Sequence, residues 1–143
     1  GSLIAGASAA QSETLGATAA DIGVGFQVLD DVINLSTGNP GKKRGDDIVE
    51  GKKSLPVILH LEEHPEDLQK IKDYFTEARK GGIDSPAVES CIKLLTESGA
   101  VGKAKLYSAE LIEKSISSIE KAYAGKEAAA LIAELFRSMV KKN

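Results

Sequence analysis

The sequence predicts an all-α chain folded as a helical bundle. Three observations point that way. Apolar residues recur at helical spacing from end to end, aromatics make up only 4% of the residues with no tryptophan, and no run of alternating β-branched residues reads as a strand. At 143 residues the chain is long enough for one domain with a real core.

The opening "GSLIAGASAA" is apolar but lacks a basic flank, and it is too short and too interrupted for a signal peptide or a membrane span. Its first part, to about Ala7, reads as the tail of another helix. In "SAAQ", Ser8 followed by Gln11 forms a capping-box pattern, so a long helix is predicted from there to about Leu35. From Ser36 to Ser54, Gly, Pro, Asn and clustered charge erase any periodicity, and the segment reads as a long loop. Helical pattern resumes at "LPVILHLEE". Another helix follows Pro65, with Glu66 and Asp67 near its positive end. "PAVESCIKLLTE" is the next, and Val101 to Tyr123 the next again, with Ala104, Leu111, Ile112, Ile116 and Ile119 as apolar positions. The last helix, from about Lys126, carries Leu131, Ile132, Leu135, Phe136, Met139 and Val140, a stripe that reads as core packing.

A net charge of −3 and a pI near 5.5 leave no basic footprint for nucleic acid, and the chain reads as cytoplasmic with no membrane span. The single cysteine, Cys91, cannot form an internal disulfide and reads as a small buried hydrophobe. His60 and His64 are spaced i to i+4, but no third ligand follows, so surface or core roles are expected. Tyr74, Phe75, Tyr107 and Tyr123 read as packing residues.

Chemistry concentrates in "FQVLDDVINL", where Asp30 and Asp31 interrupt an apolar helical run. Burying an uncompensated carboxylate is costly, so the pair needs a cation, hydrogen-bond donors or open water. At about 100° per residue, Gln27, Asp30, Asp31 and Asn34 share one face of the helix. Gly23, Ala20 and Gly16 extend that stripe toward the N-terminus, which suits either a slender apolar cleft or close packing of two helices. Adjacent carboxylates suit a solvated surface or a hard cation such as Mg²⁺, which takes oxygen ligands and shares them with substrate phosphates. The following loop holds Lys42, Lys43, Arg44, Lys52 and Lys53 among glycines, a composition suited to anionic oxygens. Acid and base together point to a metal-bound phosphate ester with an apolar tail.

These residues resemble the trans-type isoprenyl diphosphate synthases, the polyprenyl synthetase family. That family carries G-x-x-F-Q-x-x-D-D-x-x-D and then G-K-x-x-G-x-D-x-x-x-G-K-x-T-L-P. Gly23, Phe26, Gln27, Asp30 and Asp31 match the first pattern. Gly41, Lys42, Gly45, Asp47, Gly51, Lys52, Leu55 and Pro56 match the second, with Ser54 at the Thr position.

The resemblance implies the C-terminal part of the isoprenoid synthase fold and Mg²⁺-dependent head-to-tail condensation of an allylic prenyl diphosphate with isopentenyl diphosphate. It implies that Asp30 is the main metal ligand with Asp31 assisting, and that Gln27 faces the reacting allylic end. Phe26 would wall the cavity, Lys42 and Lys52 would hold diphosphate oxygens, and Asp47 would order the loop. Asn34 replaces a frequent third aspartate, which implies either weaker metal binding or a role in hydrogen bonding behind the ligands. Asp46 and Glu50 are expected to be solvated.

The family's first aspartate-rich motif has no counterpart here, so the chain is expected to be the C-terminal portion of a synthase, incomplete on its own and drawn from a homodimeric parent. A non-catalytic helical subunit or scaffold of a heteromeric prenyl synthase is the alternative. The loop spacing argues against a third reading, an unrelated helical interaction domain.

Overall fold

The computed structural model describes residues 1–38, 41 and 43–141. Among them the chain forms seven helices and no strand: α1 (Ala9–Ser36), α2 (Asp46–Glu50), α3 (Leu55–Glu63), α4 (Leu68–Gly81), α5 (Pro86–Glu97), α6 (Ala100–Ala122) and α7 (Glu127–Lys141), with a 3-10 turn over Pro65–Asp67 between α3 and α4. The all-α expectation holds. None of the described helices is long and apolar enough to cross a membrane. The chain divides into two compact units, one of residues 1–26 with 108–143 and the other of residues 27–107.

In the first unit the start of α1 is set by reciprocal capping: the Ser8 N–H donates to Gln11 Oε1 at 2.9 Å and the Gln11 N–H donates to Ser8 Oγ at 3.2 Å. Residues 2–6, expected as the tail of a helix, form turns that close as a helix C-terminus does: the Ala5 N–H donates to the Gly1 carbonyl at 3.1 Å, the Ala7 N–H to the Ser2 carbonyl at 3.0 Å and the Gly6 N–H to the Leu3 carbonyl at 3.1 Å, with Gly6 at a left-handed φ of 90°. The core gathers Ile22, Ile112, Ile116, Ile119, Ala129 and Ala133 around Phe26 and Phe136, whose ring centroids lie 5.9 Å apart.

Helix α7 corrects the sequence reading of its stripe. Ala129 and Ala133 are buried with Phe136 and Val140 beside them, while Leu131, Ile132, Leu135 and Met139 stay exposed. Small residues let α7 approach closely, and the larger ones beside them are left outside. Arg137 of α7 donates to both Glu113 and Glu120 of α6 at 2.6 to 3.3 Å. Hydrogen bonds from Arg137 hold both carboxyls below their usual range.

Helices α1 and α6 meet closely at Gly25. The Ser108 hydroxyl donates to the Gly25 carbonyl at 2.8 Å, and a Cβ at Gly25 would fall 2.5 Å from Ile112 Cγ1. Alanine favours a helix over glycine by about 1 kcal/mol. Overpacking against a buried β-branched side chain costs about 1–3 kcal/mol and wins. Gly25→Ala is therefore expected to lose stability, by up to about 2 kcal/mol, read as a lower urea midpoint; a higher midpoint would show that propensity dominates.

The second unit is built on two buried clusters. One joins Leu35, Ile48, Val57, Ile71, Ala78, Val88, Cys91, Ile92 and Leu95; the other joins Val28, Val32 and Ala104 with Leu55 and Leu59. Cys91 is fully enclosed, and burial pushes its thiol up to about 12, so it is inert packing as expected. Tyr74 and Phe75 pack against this core, whereas Tyr107, also expected to pack, is exposed. Helix α5 begins where Ser85 Oγ accepts from the Ala87 N–H at 3.3 Å, with Pro86 as its first residue.

The expected long loop contains an element that the sequence pattern hid. Helix α2 is too short for periodicity to register, yet its Ile48 is only 1% exposed and belongs to the core shared with α4 and α5.

Candidate functional site

The last two turns of α1 present Asp30, Asp31 and Asn34. Beyond Ser36 the helix closes through the N–H groups of Thr37 and Gly38, which both donate to the Ile33 carbonyl, at 3.0 and 2.9 Å. From residue 43 the chain returns to α1 and is fastened there by one side chain. Asn34, fully buried, accepts the Asp47 N–H on Oδ1 at 3.2 Å and donates Nδ2 to the Lys43 carbonyl at 3.4 Å. Its own carbonyl accepts the Gly45 N–H at 2.9 Å.

Gly45 turns with a φ of 89°, and a Cβ there would fall 2.4 Å from Val88 Cγ1. Only glycine fits both the conformation and the space. The Lys43 N–H donates to Asp46 Oδ2 at 2.8 Å and tightens the turn into α2. After α2 the Lys52 N–H donates to the Asp47 carbonyl at 2.9 Å, which brings the Lys52 side chain back toward α1.

Lys52 then joins the two segments. Its Nζ lies 2.5 Å from Asp31 Oδ1 and 3.3 Å from Asp47 Oδ2. Gln27 Nε2 donates to the same Asp31 oxygen at 3.2 Å. The two carboxylate side chains are 7% and 4% exposed, so they require such donors. Burial by itself would lower the Lys52 ammonium, but hydrogen bonding to Asp31 and the charges of Asp31 and Asp47 outweigh it and hold Lys52 above 10.5. The stability gained from its protonation is complete below the unfolded lysine value, about pH 10.4, and is lost as pH rises through the folded one.

Asp31, Gln27 and Lys52 are thus brought together, with Asp47 as a fourth member. Asp30 lies on the exposed side of α1, and Phe26 packs in the core of the first unit. Lys42 lies outside the described residues. Of the other loop cations, Lys43 and Lys53 are exposed and Arg44 pairs with Glu89 of α5.

Asp46 was expected to be solvated; it is half-buried and accepts the Lys43 N–H, while Glu50 is exposed. His60 takes the core alternative, buried with Nε2 3.0 Å from Asp67 Oδ2, and His64 Nδ1 lies 3.3 Å from Glu66. The pairing of Lys52 with Asp31 and Asp47 escaped the sequence reading, whereas Asn34 takes the hydrogen-bonding alternative, with loop backbone as the partner the sequence did not name. Both depend on how the chain folds back, and no local spacing announces them.

Among the described residues no group of three or more His, Cys, Asp or Glu side chains is placed to hold a metal ion. The arrangement still fits Mg²⁺ in its usual manner, by one or two carboxylates with water and substrate phosphate completing the shell. The Lys52 ammonium already stands as a cation against Asp31 and Asp47, which shows that positive charge is accommodated there.

The family model described as polyprenyl synthetase matches residues 1–95, more than half of the chain. The chain belongs to the polyprenyl synthetase family. Among curated members of that family, it is 31% identical over 120 residues to an octaprenyl diphosphate synthase of Haemophilus influenzae, covering 82% of this chain and 36% of the relative. It is 38% identical over 99 residues to a geranylgeranyl pyrophosphate synthase of Geoglobus acetivorans, covering 68% of this chain and 28% of the relative. A geranylgeranyl diphosphate synthase of Methanosarcina mazei is 34% identical over 117 residues, covering 80% and 33%. The chain therefore spans about a third of the length of these polyprenyl synthetase relatives. No solved structure matches it significantly.

Proposed function

We propose that this chain supplies the diphosphate-binding end of a prenyl diphosphate synthase that elongates an allylic prenyl diphosphate with isopentenyl diphosphate in the cytoplasm. The observation that carries the reading is the meeting of Asp31 with Lys52, a carboxylate of the aspartate pair and a lysine of the glycine-rich loop, within hydrogen-bonding distance. The names of the relatives agree with it, each being a prenyl diphosphate synthase.

In this reading Asp30 and Asp31 hold Mg²⁺, and Lys42 and Lys52 hold the oxygens of the departing diphosphate. Bound Mg²⁺ supplies charge neutralisation for the diphosphate as it leaves. The lysines contribute most when negative charge builds on those oxygens, so they favour the transition state over the ground state. Gln27, anchored to Asp31, faces the allylic end. Asp47 and Asn34 keep the backbone of the loop against α1, so that its lysines stay close to the aspartate pair.

The test is an elongation assay of the complete gene product with allylic diphosphates and isopentenyl diphosphate. Asp30→Ala is expected to lower turnover by about 100-fold or more, since a metal ligand contributes several kcal/mol of charge stabilisation. Unchanged turnover in that variant would remove the metal role from Asp30 and the reading with it.

A further inference from the structure

Lys52 has two possible partners in the proposed reaction, and it cannot serve both fully. The structure places its ammonium on Asp31 and Asp47, whereas diphosphate binding calls for the same ammonium on phosphate oxygens. The burial is uneven: the carboxylates are 7% and 4% exposed and the lysine side chain 32%. The acids are fixed by the fold, and the lysine reaches them from a more open position. Asp31 Oδ1 also accepts from Gln27, so the oxygen nearest Lys52 already has two donors. A divalent cation binds carboxylate oxygen at about 2.0–2.1 Å, which would set a double positive charge beside the ammonium.

We propose that Lys52 is the resident counter-ion of the Asp31–Asp47 pair and that the divalent cation displaces it, releasing its ammonium for the diphosphate. This rests on the reading of the chain as a diphosphate-binding portion of a synthase and adds an ordered exchange to it. The lysine competes with the metal when no diphosphate is present. It cooperates with the metal when diphosphate gives the ammonium a new partner. Metal and diphosphate are then coupled through one side chain, and linkage requires each to raise the affinity of the other by the same factor.

The experiment titrates Mg²⁺ alone, inorganic pyrophosphate alone and the two together into the complete gene product, by calorimetry and by NMR of the Lys52 side chain. Wild type is expected to bind Mg²⁺ more tightly in the presence of pyrophosphate, and the Lys52 methylene resonances are expected to move with Mg²⁺ alone. Lys52→Gln, which keeps a donor without the charge, is expected to bind Mg²⁺ alone about 3- to 10-fold more tightly than wild type and to lose most of the coupling. Weaker or equal Mg²⁺ binding by a folded Lys52→Gln variant would overturn the exchange while leaving the synthase reading intact. Should that variant fail to fold, Lys52→Arg takes its place. A guanidinium grips Asp31 through two donors, so Mg²⁺ binding must weaken, and an unchanged affinity would overturn the proposal. If wild type binds neither Mg²⁺ nor pyrophosphate, singly or together, both the exchange and the underlying reading fall.

Discussion

Gly45→Ala is expected to be among the most destabilising single-methyl additions in the second unit, at about 2–5 kcal/mol. Two independent terms combine. A side chain in left-handed backbone costs about 1–2 kcal/mol, and overpacking a filled core costs about 1–3 kcal/mol. Both apply at Gly45, because φ is 89° and the new Cβ would fall 2.4 Å from Val88 Cγ1 and 3.3 Å from Ile92 Cδ1. Neither neighbour has room to retreat, with Val88 1% and Ile92 2% exposed. Urea unfolding followed by circular dichroism should show a lower midpoint, and tryptic cleavage after Lys43 or Arg44 should accelerate. A midpoint equal to wild type would mean that the turn into α2 is not held as described.

Asn34→Leu is the second large effect expected, at about 2–3 kcal/mol. The substitution keeps bulk but removes both amide partners. The Asp47 N–H, enclosed with its residue 3% exposed, would be left without its acceptor, at a cost of about 1–3 kcal/mol. The carbonyl of the exposed Lys43 can turn to water and contributes less. Hydrogen exchange supplies the decisive reading: the Asp47 and Gly45 amides should lose protection while amides in the middle of α5 keep theirs. Equal protection of these amides in wild type and Asn34→Leu would show that Asn34 merely fills space. Asn34→Asp should fall between the two, because it retains an acceptor for Asp47 but adds a third carboxylate beside Asp31 and Asp47.

What could be read from the sequence is what local chemistry controls. The Ser8–Gln11 capping box starts α1, and Ser85 with Pro86 starts α5, because each cap is decided within four residues. The aspartate pair and the lysine-bearing loop stood out in the sequence as neighbours, but their joint reading came from the charge of the loop and from the resemblance of their spacing to a family pattern. Helix α2 was not, since five residues between two left-handed glycines owe their helicity to the burial of Ile48 against distant helices. The partner choices were equally hidden. Lys52 lies 21 residues from Asp31, and Arg44 lies 45 from Glu89. Nothing in a charged loop tells which cations will be claimed by the protein's own acids. The α7 stripe misled for a related reason: apolar periodicity marks a face, but alanines at Ala129 and Ala133 decide which edge of it can come close.

The fork of Arg137 reaches two carboxylates seven residues apart on α6, about 10.5 Å along the axis at 1.5 Å per residue. An exposed cluster of this kind adds little to overall stability. Its effect is on alignment: sliding α7 by one turn would forfeit one carboxylate outright, while an alanine-rich apolar seam would tolerate the slip. The charged fork therefore acts as an indexing pin, selecting one register among packings that hydrophobic contact alone would leave nearly equivalent.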